Sequence, residues 1–198
     1  MSFDFNTAEP QQAGAGSLIP DNTIVTVVST LRPGGHGPGG WLKTNNNGSC
    51  LMADFEFTIS GGPFDRRKVW SMFVIEGETE GQMKAAEISR SKLRAMLESA
   101  FGVLPDDKSP EAIKARQAGW QDFDGLKFCA KLGVEKGKPK DPTNPHSEFY
   151  PDRNTLKAII TPNERDYVNP GPQMAKISSP TGSPSSNAAP ANKPKWAS

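Results

Sequence analysis

Flat rings set beside cations are the chemistry-bearing pattern of this sequence. Trp41 stands among glycines, with His36 before it and Lys43 after it. Arg66, Arg67 and Lys68 lead into Trp70, and Lys127 and Lys131 share one side of an alternating stretch. Lys136, Lys138 and Lys140 precede Phe149, Tyr150 and Arg153, with Lys157 following. A ligand with regularly spaced negative charges and apolar flat faces needs this combination, because ammonium and guanidinium groups track phosphates while aromatic faces stack on bases. The candidate nucleic-acid-binding residues are therefore Trp41, Lys43, Arg66, Lys68, Trp70, Lys127, Lys131, Lys136, Lys138, Phe149, Tyr150 and Arg153.

Each of these has a plainer reading beside it. Trp70 on a strand suits a core as well as a platform. Trp41, flanked by glycines, suits a contact role as well as packing. Phe149 and Tyr150, just before Pro151, would serve equally to pin a loop to the body. A run such as Lys136, Lys138 and Lys140 is also what a solvated face looks like. Their joint placement in two loops and the adjoining strands is what favours a shared surface.

Other chemistries find little support. The stretch PGGHGPGG, residues 33–40, resembles a phosphate cradle, yet it lacks the G-x-x-x-x-G-K-[ST] pattern and no helix follows it. The two histidines, His36 and His146, and the two cysteines, Cys50 and Cys129, match no zinc or redox spacing. Both cysteines fall in apolar strand patterns, which predicts free, buried thiols. No G-x-S-x-G elbow is present. The expectation is a non-enzymatic protein with no cofactor and no metal.

Composition narrows the field further. Hydrophobic residues make up 35% of the 198-residue chain, with 19 glycines and 18 prolines, which implies extensive loops. Net charge is +1, and acids balance bases across residues 19–167. A nucleic-acid binder of this composition must concentrate its positive charge on one face. Residues 1–18 hold Asp4 and Glu9 and no basic residue, unlike a signal peptide. No apolar run approaches the roughly 20 residues of a membrane helix. A cytoplasmic protein with no membrane partner is expected.

The elements that must position these side chains follow from periodicity. Residues 1–18 read as a flexible lead-in, with Phe3 and Phe5 available to dock. Thr23–Arg32 is β-branched and alternating, a first strand. Residues 33–49 are too rich in Gly, Pro and Asn for regular structure. In Cys50–Ser60, Phe55, Phe57 and Ile59 alternate with Asp54, Glu56 and Thr58, giving one buried and one wet face. Arg66–Ile75 places Val69, Phe73 and Ile75 on one side and Lys68, Trp70, Met72 and Val74 on the other. Residues 81–101 carry a helical stripe of Met83, Ala86, Leu93, Met96, Leu97 and Ala100, stopped by Gly102. Ser109 caps a short second helix that starts on Pro110. Leu126–Val134 and Thr155–Thr161 are the last two strands, joined by a Lys-, Pro- and Asn-rich loop. After Tyr167 the chain has six prolines, no acids and few large apolar groups, so a disordered tail from 168 is expected.

The order β-β-β-α-β-β, with a small extra helix, predicts a β-rich fold: a five-stranded OB-fold-like barrel over residues 19–167, with another small β-barrel or an α+β sandwich as the competing readings. Its long connections would be the two loops that line the groove of such barrels. The strings LIPDNTIVTVVSTLRPGG, ADFEFTISGGPFDRRKVW, KAAEISRSKLRAMLESAFG, DFDGLKFCAKLGVEKG and YPDRNTLKAIITP resemble a family of phage and prophage proteins of unknown function found among replication and recombination genes. The resemblance spans residues 3–167 and implies phage DNA metabolism and an OB-like, single-strand-binding role in the cytoplasm of a bacterial host. It supplies no catalytic residues. Two functions stand: single-stranded DNA binding, or an OB-like interaction module that recruits a phage recombinase, nuclease or helicase.

Overall fold

In the computed structural model, which describes residues 17–173, alternating sequence becomes alternating burial. The strands are β1 (Ile24–Arg32), β2 (Lys43–Thr44), β3 (Cys50–Ile59), β4 (Lys68–Gly77), β5 (Lys127–Glu135) and β6 (Arg153–Ile159). All pairings are antiparallel, and they form one six-stranded sheet. β3 is its spine. β4 runs along one edge of β3, while β1 and then β2 share the other. β5 lies against β1 and β6 against β5.

The sheet is open, with β4 and β6 as outer strands. These two come within 8 Å between Cα atoms, but among the described residues no hydrogen-bonded ladder joins them. The expectation of five strands misses β2, which the glycine-rich connection conceals. That connection is also more ordered than its composition implies: residues 38–40 form a 3₁₀ turn, and His36 bridges Leu42, which is buried.

Helix α1 (Glu80–Phe101) packs on β4, β5 and β6. It begins at Thr79, whose hydroxyl accepts from the Gln82 N–H while Gln82 Oε1 accepts from the Thr79 N–H. It ends at Gly102, which takes φ 67°, a left-handed conformation suited to glycine. Ala86, Leu93, Met96, Leu97 and Ala100 are buried as the periodicity predicts; Met83, in the first turn, is instead exposed. Helix α2 (Pro110–Ala115) has Ser109 as its N-cap. The linker between the helices is pinned by Arg116, which donates to the carbonyls of Leu104, Pro105 and Asp107. Arg116 also joins Arg94 in neutralising the buried Glu98.

The core is aromatic. Phe55 and Phe57 stack at 5.6 Å, Phe57 meets Phe128 edge-on at 5.7 Å, and Phe73 and Phe123 close round Phe55. Leu31, Ile59, Leu97 and Leu132 fill the space between. Cys50 and Cys129 are buried free thiols, as predicted. Ordered packing continues past Tyr167, whose hydroxyl donates to the Ser99 carbonyl, as far as Gln173. The Gln173 amide accepts from the Lys127 N–H and donates to the carbonyls of Lys127 and Ala100. The tail expected from residue 168 is thus packed over its first residues, and its remainder beyond Gln173, like the suggested docking of Phe3 and Phe5, lies outside the described residues.

Candidate nucleic-acid interface

The wet face of β3 sets the geometry. Because Phe55 and Phe57 turn inward, Asp54, Glu56 and Thr58 must turn outward. Register then supplies their neighbours: Glu56 lies between Thr30 of β1 and Trp70 of β4, Asp54 between Arg32 and Met72, and Thr58 between Val28 and Lys68. Side chains directly opposite across a strand pair are close enough to touch. Trp70 thus sits mid-face, 53% exposed, with Met72 equally exposed beside it.

Glu56 organises the centre. Its Oε2 accepts from Trp70 Nε1 at 3.2 Å and its Oε1 from Lys68 Nζ at 2.7 Å. The Lys68 hydrogen bond, aided by Lys68 charge and the Trp70 N–H, holds the Glu56 carboxyl below the usual glutamate range. Asp54, nearly buried, receives Arg32 at 3.4 Å together with Lys43, which β2 delivers to the same face. The face therefore carries its own counter-charges.

The second cluster is an arm, residues 135–153. Pro139 bridges Phe149, Tyr150 N–H donates to the Lys138 carbonyl, and Lys140 N–H donates to the Glu148 carbonyl. Phe149 and Tyr150 are both exposed. Lys136 pairs with Asp152 at 2.7 Å and Arg153 with Glu135 at 2.9 Å. The Lys136 hydrogen bond lowers the Asp152 carboxyl and raises the Lys136 ammonium. At the root of the arm, a Cβ on Gly137 would collide with the Tyr150 carbonyl oxygen, so the two sides approach as only glycine permits.

The predicted residues thus separate into groups. Lys43, Lys68 and Trp70 come together on the outer face. Lys136, Lys138, Phe149, Tyr150 and Arg153 come together on the arm. Arg66 is not part of a strand, as the alternation suggested; it occupies the β3–β4 turn at φ 64°, almost fully exposed and 3.7 Å from Asp65. Lys127 lies in the same cross-strand row as Val28, Thr58 and Lys68. Lys131 is drawn to Asp166 at 3.4 Å, where residues 164–168 fold over β5. Trp41 is half-buried against the core, so its ring largely seats the first connection. The two long connections do not converge from one end: β1 and β5 are antiparallel, so residues 33–49 and 136–152 leave that pair at opposite ends and bracket the face.

Arg32, Thr30, Asp54, Glu56 and Met72 were not singled out from the sequence. The alternation of β3 announced two of them as wet; the others become neighbours only through the register. Among the described residues no three His, Cys, Asp or Glu side chains gather to hold a metal ion. Comparison with protein-family models, curated proteins and solved structures finds no match.

Proposed function

We propose that the protein binds single-stranded DNA on the outer face of β1, β3 and β4, as a non-catalytic component of phage DNA replication or recombination in the bacterial cytoplasm. The observation that carries this reading is Trp70: a large ring left half-exposed in the middle of a sheet face, held in orientation by Glu56 and flanked by Lys68, Arg32 and Lys43. Such a ring is a platform for a base, and its neighbours are sources of charge for phosphates. The strand path supports an OB-like reading. Linking β4 to β6 would close β1, β3, β4, β6 and β5 into a five-stranded barrel, and OB-folds are partly open barrels that bind on this face between these two connections. The phage setting rests on the resemblance of residues 3–167 described above.

The test is fluorescence anisotropy of a labelled oligo-dT of about 30 nucleotides against a duplex control. Micromolar or tighter binding to the single strand, weak binding to the duplex, and a log–log salt slope of about −2 are expected, since few cations here lack an internal partner. No binding of oligo-dT or of a mixed-sequence single strand at micromolar protein would overturn the reading.

One observation favours a second reading, the recruitment of a phage recombinase, nuclease or helicase. Lys43, Lys68, Lys131, Lys136, Lys140 and Arg153 all have carboxylate partners. A surface neutralised in this way on both face and arm, with Trp70 and Met72 exposed on the face, also suits a protein partner. Salt-insensitive capture of a phage protein, with no effect of oligonucleotide, would favour this alternative.

A further inference from the structure

The polar contact of Trp70 is unusual for a surface that merely tracks phosphates, because the group that touches the ring is an acceptor. Glu56 lies directly across from Trp70 and Asp54 across from Met72, the next exposed residue along β4. Glu56 accepts from the indole N–H at 3.2 Å, so its carboxylate is held at the edge of the ring, where a base stacked on that ring presents its own edge. The remaining cation at this spot, Lys68, is tied to the other oxygen of the same carboxylate at 2.7 Å. Each carboxylate oxygen has two lone pairs and so keeps acceptor capacity beyond these contacts.

We infer that Glu56 makes the Trp70 site selective among bases, favouring those whose exposed edge donates hydrogen bonds; this rests on the single-strand reading above. Guanine offers two adjacent donors, N1–H and the N2 amine, to a carboxylate. Cytosine and adenine each offer one exocyclic amine. Thymine offers one N–H between two carbonyl oxygens, which a carboxylate repels. The order is guanine first, cytosine and adenine next, thymine last. Glu56 acts here as a specificity determinant that also repels phosphate, so it lowers affinity for strands whose bases cannot donate to it and raises selectivity.

The experiment is competition against a labelled strand of about 12 nucleotides, using mixed thymine–guanine, oligo-dC, oligo-dA and oligo-dT competitors, with inosine replacing guanine in a further strand. The guanine strand should compete on the order of tenfold better than oligo-dT, and the inosine strand, lacking the N2 amine, should lose much of that advantage. Glu56→Gln, whose amide both donates and accepts, should bind oligo-dT more tightly than the native protein and should flatten the ranking. A merely structural role for Glu56 would lower affinity for all strands alike. Equal competition by all strands with the native protein, or a preference for thymine, overturns the inference and leaves single-strand binding standing. Failure of every strand to bind removes the single-strand reading and this inference with it. The native ranking decides the matter even if the variant folds poorly.

Discussion

Trp70 and Tyr150 are exposed to nearly the same degree, 53% and 57%, yet they are held in different ways. Trp70 is on the second strand of a pair whose reverse side is packed with Phe55, Phe57 and Phe73, and its N–H is fixed by Glu56. Tyr150 is on an arm secured by a few backbone hydrogen bonds and by ion pairs at the surface. The face is preorganised and costs little to order on binding; the arm must lose freedom to grip a ligand. Equal exposure therefore does not mean equal contribution, and the face should supply most of the binding energy.

Trp70→Ala breaks this comparison most directly. It should weaken binding of a single strand by about 1–3 kcal/mol, roughly fivefold to a hundredfold, and anisotropy titration measures it. Thermal unfolding should move little, because the ring is outside the core. Gly137→Ala comes next: the collision with the Tyr150 carbonyl should force the arm open and lower stability by about 1–3 kcal/mol, with amide exchange accelerating across residues 136–152 and not across β3. Tyr150→Ala and Phe149→Ala should each cost less than Trp70→Ala, about 0.5–1 kcal/mol of binding. If either matches Trp70→Ala, the arm is as preorganised as the face.

The smallest effect is in proton uptake. A carboxyl lowered by folding contributes stability above its ordinary range and loses that contribution as pH falls through its lowered value. Glu56 and Asp152 are both of this kind. A thymine strand, whose phosphate draws Lys68 away from Glu56 and whose bases donate little in return, moves the Glu56 carboxyl back toward its ordinary value, so its binding takes up protons and tightens as pH falls across that window. NMR titration of the side-chain carboxyls with and without oligo-dT should show Glu56 rising and Asp152 nearly unmoved, whereas a guanine strand, which donates to the carboxylate, should hold Glu56 low. A rise at Asp152 alone would place the ligand on the arm.

Much of the fold was legible because its periods are clean. Phe55, Phe57 and Ile59 against Asp54, Glu56 and Thr58 fix which side of β3 is wet, and Ser109–Pro110 marks a helix start that the structure repeats. What remained illegible depends on contacts between distant residues. The two faces of β4 are both apolar enough to be core, and only pairing with β3 and packing against α1 put Val69, Phe73 and Ile75 inside and Trp70 and Met72 outside. Cys129 falls on the outward period of β5 with Lys127 and Lys131, and although its burial was expected, the cover that provides it, residues 164–168, left no pattern in the sequence. β2 is two residues long inside a Gly- and Asn-rich stretch, too short to leave a pattern. The site was legible as a set of residue types, whereas its division into a face and an arm comes from the antiparallel pairing.

The two buried thiols provide the molecule with internal reporters. Burial pushes the Cys129 thiol above its ordinary range, so in the folded protein it is scarcely ionised and slow to react. Cys50 opens β3 beside the first connection, and Cys129 lies beneath the segment that follows β6. An alkylating reagent would therefore time two separate openings of one chain: fraying beside the bracketing loop at Cys50, and lifting of residues 164–168 at Cys129. A strand bound on the outer face should slow the first clock more than the second.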